Sequence, residues 1–227
     1  MRTFFLFYLL SWLFRNPLIA LAVVAAIFYL GEARYRGRWF DPTTVLRHRQ
    51  AVRDLRRTLE LNEHNVGAHN DLGRLLVQEG KYEEAATHME KAVARMEESP
   101  EANYYHGLCL LNAGRDNEGE RFVRRALEIN PRFLYGEPQL TLARHALTRN
   151  EPPTAANAAR AAVKLNTSSV EGWTLLGRAE EELGRPEAAA AAYDSAKDAF
   201  RHLPAYLHLP NRKWLAEAKR GMRRVRS

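Results

Sequence analysis

Two pairs of residues have the types that do chemistry, His64 with His69 and His106 with Cys109. A zinc-type site needs three or four donors at ligand spacing, and neither a cysteine nor a carboxylate stands at such spacing beside His64 and His69. No metal site is expected there. His106 and Cys109 are three residues apart, so on a helix they would touch. A nucleophilic thiol also needs a third group to orient its base, and none stands nearby; a buried, inert thiol is expected. No glycine-rich loop is placed to cradle phosphate. The residues therefore point away from catalysis, and no catalytic, cofactor-binding or metal-binding residue is expected. Recognition by charge remains. Lysine and arginine number 34 against 27 acidic residues, for a net charge of +7. Such a balance favours anionic partners without choosing among lipid, acidic protein and nucleic acid.

The elements that would position such a surface begin with an apolar run. Phe4 to Leu30 carries a single charge, Arg15, followed by Asn16-Pro17, although the mean hydropathy of the whole chain is -0.45. About 20 helical residues cross a bilayer core. Trp12 to Gly31 fits one crossing, with Arg15 reaching back to the headgroups. A re-entrant hairpin bent at Asn16-Pro17 is the alternative. A cleaved export signal is disfavoured, because Gly31-Glu32-Ala33 is a poor cleavage site and the run is bulky and aromatic. Arginines 34, 36, 38, 47, 49, 53, 56 and 57 follow the run, and by the positive-inside rule that side is cytoplasmic.

Beyond the run the chain repeats itself. Gly73 and Gly107, Gly80 and Gly114, and Ala92 and Ala126 are each 34 residues apart. So are Ala143 and Gly177, Asn150 and Gly184, Ala155 and Ala189, and Ala162 and Ala196. The two sets are out of phase by two residues, inserted near "RFLYGEP". Small residues at fixed spacing let two helices pack closely, while large residues such as Trp173 and Tyr193 fill the remaining groove. One helix pair cannot bury its own apolar face, so several must stack.

"VGAHNDLGRLLVQEGKYEEAATHMEKAV", with Leu72-Gly73, Leu76, Gly80, Tyr82, Ala85, Met89 and Ala92, resembles the tetratricopeptide repeat family. "EANYYHGLCLLNAGRDNEGERFVRRALEINP" and "EGWTLLGRAEEELGRPEAAAAAYDSA" carry the same pattern. A unit at 136–169 diverges most, with Ala143 for the glycine and Asn150 with Pro152-Pro153 at the turn. The resemblance implies an all-α fold, a right-handed α-solenoid of antiparallel helix pairs, preceded here by a transmembrane or hairpin membrane helix. Five segments are expected: a membrane anchor at 1–33, and a basic juxtamembrane stretch with a half-repeat helix at 34–65. Repeats at 66–99, 100–135, 136–169 and 170–203 follow, then a capping helix with a basic tail at 204–227. The half-repeat helix starts at Asp41-Pro42, and the last helix, "NRKWLAEAKRGMRRVRS", carries Trp214, Ala218 and Met222 along one stripe.

In this family the first helix of each pair lines a concave groove where partner segments lie. Carried over by position, that groove would be lined by Asn70, Arg74 and Gln78, then Tyr104, Leu108 and Asn112. Leu140 and Arg144 follow, then Thr174, Arg178 and Glu182. Arg74, Arg144 and Arg178 share one repeat position, where their guanidinium forks would take partner carboxylates. The expected partner is therefore an unidentified protein segment, with the membrane at residues 4–31 and anionic lipid at the arginine-rich flanks as further contacts. Nucleic acid is not expected, since aromatic residues hardly interrupt the basic C-terminal stretch. The resemblance makes the chain a scaffold or adaptor. Its expected place is a bacterial inner membrane, given the alanine and arginine content, with the repeats in the cytoplasm. Alternatives are an envelope-assembly factor outside the cytoplasm, or a lipid- or RNA-binding module working through the C-terminal helix.

Overall fold

The computed structural model describes residues 42–226 together with four helical positions, Leu18, Ala22, Val23 and Ala25. Among the described residues no helix is long and apolar enough to cross a membrane. The expected span lies, apart from those four positions, outside them. The chain divides into two units: Pro42–His202 with Asn211–Ser227 form the larger, and Met1–Asp41 with Leu203–Pro210 the smaller. Helices account for all the regular structure among the described residues.

The larger unit opens with α1, Pro42–Leu61, the half-repeat helix that the Pro42 signal predicts. Four helix pairs follow. They are α2 (Val66–Gln78) with α3 (Tyr82–Val93), α4 (Pro100–Asn112) with α5 (Asp116–Ile129), α6 (Glu137–Thr148) with α7 (Pro152–Leu165), and α8 (Val170–Glu182) with α9 (Pro186–His202). A last helix, α10, runs from Ala205 to Arg226. The last helix starts at Ala205, ahead of the stretch from Asn211 that the sequence marks as helical, and continues through Pro210. Proline lacks an N–H, so that passage forgoes one helical hydrogen bond, which the helix survives.

The period is written at both ends of each first helix. Asn65, Ser99 and Ser169 cap α2, α4 and α8, their side chains accepting from the N–H of Ala68, Ala102 and Gly172 at 3.0, 3.2 and 3.0 Å. The exits are equally regular. Gly80, Gly114, Asn150 and Gly184 take the left-handed conformation, with φ of 75, 74, 58 and 69°. The next N–H reaches back into the last turn each time, Lys81 to Leu76, Arg115 to Leu110, Glu151 to Ala146 and Arg185 to Glu180, at 2.9–3.0 Å. Asn150 thus makes the same turn as the glycines, because asparagine tolerates that region better than other side chains. The divergent third unit is a regular one.

The two inserted residues form the exception. Before α6 the chain makes a short 3-10 turn, Phe133–Gly136, with Leu134 at φ 47°, Tyr135 at φ 48° and Gly136 at φ 102°. Phe133 packs edge-to-face on Tyr104 at 5.8 Å between ring centres, but Tyr135 is 79% exposed. A tyrosine in the left-handed region strains the backbone, and solvent returns nothing for it. Tyr135→Asn is therefore expected to raise stability by up to about 1 kcal/mol, measured by urea unfolding; a loss would show that the ring is held by the array.

Two clusters close the core of the second half and the first, one around Ala143, Ala159 and Ala179 and one around Leu72, Leu76 and Met89. A third, around Tyr104, Val123 and Leu142, joins them across the inserted turn. On α10, Ala218 and Met222 are buried and Trp214 packs against the cluster that holds Leu140.

Candidate functional site

The four first helices, α2, α4, α6 and α8, carry all eleven residues expected in the groove. Four of these are core residues and leave the candidate surface. Asn70 is 5% exposed, Tyr104 3%, Leu140 7% and Thr174 0%. The cause is helical phase: Tyr104, Leu140 and Thr174 fall where the first helix meets the next element, beside Thr141, Gly172 and the Trp214 carbonyl, and Asn70 holds the same repeat position. Tyr104 donates to or accepts from Thr141 Oγ1 at 3.2 Å, and burial drives its hydroxyl pKa upwards. Thr174 donates to the Val170 carbonyl at 2.7 Å.

The arginines stay at the surface but already have carboxylate partners. Arg74 Nε meets Glu101 Oε1 at 3.1 Å, and Arg144 meets Glu171. Glu101 and Glu171 both stand in the first turn of the next first helix, α4 and α8, where negative charge also complements the helix dipole. These two pairs are therefore stitches from one repeat to the next. Arg144 also bonds Glu137 Oε1 at 2.9 Å and Thr141 Oγ1 at 3.0 Å. Burial works against the Arg144 charge, but Glu171 and Glu137 hold its pKa above the usual arginine value. Arg178 bonds Glu182 Oε1 at 3.0 Å and approaches Glu217 of α10 at 4.0 Å. The expectation of three free guanidinium forks awaiting a partner's carboxylates is corrected: an incoming carboxylate must first displace a carboxylate of the chain.

What remains open is mixed. Gln78 and Asn112 are exposed, and Asn112 Nδ2 donates to the Leu108 carbonyl at 2.9 Å. Leu108 is half-buried beside Tyr105, whose hydroxyl pKa is raised by burial first and by Glu101 second. A contact surface of this kind offers amide and hydroxyl hydrogen bonds and a leucine side chain, flanked by neutralised charges. Tyr105, Glu101 and Glu171 were missed in the sequence. The one signal for the carboxylates was their recurrence at the same distance after Arg74 and Arg144.

The candidate chemical pairs resolve differently. Cys109 is 1% exposed and burial pushes its thiol up to about 12. His106 packs its ring edge-to-face on Phe122 at 4.6 Å. Among the described residues no group of three or more histidine, cysteine or acidic side chains is placed to hold a metal ion. His69 turns away from His64 and pairs with His88 on α3, Nδ1 to Nδ1 at 2.8 Å. His69 Nε2 lies 2.9 Å from the Glu63 carbonyl, which can only accept, so Nε2 carries the proton and His69 Nδ1 accepts from His88. Burial, and then the His69 charge, lower the His88 pKa; burial lowers that of His106 too.

A histidine whose folded pKa is lowered binds fewer protons folded than unfolded. Its stabilising effect is full above the unfolded value of about 6.5 and is lost as pH falls towards the folded value. The melting temperature is therefore expected to decline as pH falls below about 6.5. His88→Asn, whose amide can still donate to His69, should flatten that decline when melting is followed by circular dichroism. An unchanged slope in this variant would place the effect elsewhere.

A model of the tetratricopeptide repeat matches residues 46–100, 70–132 and 140–204. No curated protein matches the chain. Among solved structures, MamA is 20% identical over 72% of this chain and 93% of its own, with a TM-score of 0.62. YrrB, titled a TPR protein with an unusual peptide-binding site, is 18% identical over 75% and 91%, with a TM-score of 0.56. A thermophilic TPR protein of Thermus thermophilus is 20% identical over 78% and 93%, with a TM-score of 0.58. At these identities the likeness shows the fold. The family matches cover more than half of the chain, and the chain belongs to the tetratricopeptide repeat family, whose members are protein–protein interaction scaffolds.

Proposed function

We propose that this chain is a membrane-tethered scaffold that holds a segment of another protein against the first helices of its repeats. The observation that carries the reading is the open set Gln78, Leu108, Asn112, Arg178 and Glu182, exposed or half-exposed on helices whose other sides are committed to packing. With Arg74 and Arg144 engaged by Glu101 and Glu171, the fitting ligand is a peptide read by amide contacts and an apolar side chain, not an acidic one. Tethering through the apolar run raises the partner's local concentration without chemistry. The arginines after that run support a repeat array on the cytoplasmic side of a bacterial inner membrane.

Photo-reactive residues placed at Gln78 and Asn112, with Arg125 on α5 as the comparison position, test the ligand. A partner that crosslinks at the first two and is displaced by a synthetic peptide from its own crosslinked segment supports the reading. Equal labelling at Arg125 removes it. A reporter active only outside the cytoplasm, fused after Ser227, tests the location separately. Silence supports a cytoplasmic array, whereas activity moves it to the cell envelope.

A further inference from the structure

Arginine is used in two ways in this chain. Within the repeats most arginines have a carboxylate: Arg125 meets Glu98 at 2.6 Å, Arg149 meets Glu151 at 2.9 Å, and Arg160 and Arg185 share the buried Glu180. On α1 the pattern fails. Arg56 pairs with Glu84 at 2.6 Å, but Arg49, Arg53 and Arg57 are exposed and have no acidic partner among the described residues.

These three recur every four residues, which on an α-helix draws one stripe. Leu46, 64% exposed, and Leu61, 84% exposed, continue that stripe at its two ends. Glu60 lies on it too, and exposed Asp54 borders it, one turn beyond Gln50 and three residues before Arg57. The opposite side of α1 carries buried Val52 with Leu55 and Leu59, which pack against α2. Arg49 and Arg53 also line an open cleft of about 790 Å³ between α1 and the end of α2. The acidic group in that cleft, Glu79, is already taken by Lys81 at 2.5 Å and faces His48 at 3.1 Å. Two guanidinium groups thus edge a cleft whose one carboxylate among the described residues is engaged by Lys81.

We infer that this face of α1 docks on anionic lipid headgroups, the cleft taking a phosphate while Leu46 and Leu61 rest at the interface. Three cations on one stripe with no acidic partner among the described residues match an anionic surface, and exposed leucines at both ends match an apolar layer beneath it. The apolar run that ends at Leu30, just ahead of Pro42, would hold this face at a bilayer; the inference rests on the tethering proposed above for that position, not for its chemistry. Such docking would fix the array against the membrane instead of leaving it on a loose tether.

The test uses the full chain with Gln50→Cys, an exposed position on the stripe, labelled with a polarity-sensitive dye. The native Cys109 is buried and its thiol is pushed up to about 12, so it does not compete for label. The protein is reconstituted in vesicles of phosphatidylcholine alone, or of phosphatidylcholine and phosphatidylserine in equal parts. A blue shift confined to the mixed vesicles and reversed by salt is expected. In Arg49→Gln/Arg53→Gln/Arg57→Gln the docked-to-free ratio should fall about a hundred-fold. These side chains are exposed, so an unchanged circular dichroism melt accompanies the loss. The same spectrum in both vesicles, or a shift that the triple variant keeps, overturns the inference. Inorganic phosphate or RNA giving the full shift without vesicles also overturns it, by naming a different ligand. Extraction at alkaline pH reports on the tether alone. If alkali strips the chain while the lipid-dependent shift persists, the span fails and the docking face stands.

Discussion

Tyr193→Ala is expected to cost about 3–5 kcal/mol, enough to unfold the C-terminal part of the array. Tyr193 is 0% exposed and lies between two glycines, Gly177 of α8 and Gly221 of α10; a Cβ added to either would run into its ring. Its hydroxyl donates to Glu181 Oε2 at 2.7 Å, and Arg224 grips the same carboxylate at 2.6 and 2.9 Å. One ring thus joins three helices. Without it the last repeat loses both its own packing and its cap. Stability in stacked repeats is passed between neighbours, so hydrogen exchange should show α8 to α10 opening while α2 to α5 stay protected. Uniform opening along the array would contradict that assignment. Tyr193→Phe separates the two contributions. It keeps the ring and loses one hydrogen bond to a carboxylate, at about 1.5–3 kcal/mol or less.

Gly107→Leu is expected to prevent α4 from closing on α5. At this crossing Gly107 faces Gly119, and a Cβ on Gly107 would lie 2.8 Å from the Gly119 carbonyl oxygen and 3.0 Å from the Val123 nitrogen. Backbone atoms cannot turn aside as the end of a side chain can. Even Gly107→Ala should cost about 1–3 kcal/mol, although alanine is the better helix former by about 1 kcal/mol. Gly67→Ala is the comparison. Gly67 is exposed near the start of α2, and an added Cβ would come no nearer than 3.6 Å to Asn65. That change should be neutral or slightly stabilising. Urea midpoints of the two alanine variants decide the matter: similar values would show that the glycine at the crossing is not required for close approach.

The sequence by itself determined the repeat. Its period was legible in Gly73, Gly107 and Gly177 at the crossings and in Gly80, Gly114 and Gly184 at the turns, because packing distance and positive φ restrict residue type locally. The resemblance of those residues to one family then supplied the pairing of helices. Local chemistry also announced the start of α1 at Pro42. It failed at Pro210, because a proline is a local signal and the continuation of α10 is not.

Only the tertiary structure decided which surface is free. Tyr104 and Thr174 hold the same polar groups whether buried or exposed, and a shift of one residue around a helix separates the two outcomes. Arg74 and Arg144 are engaged because Glu101 and Glu171 are brought beside them from the following repeat. His69 found His88 on the facing helix of its own pair, not His64 close by in the chain. These contacts depend on how one helix is rotated against another, and that rotation is set by the summed packing of the array rather than by any short stretch of residues.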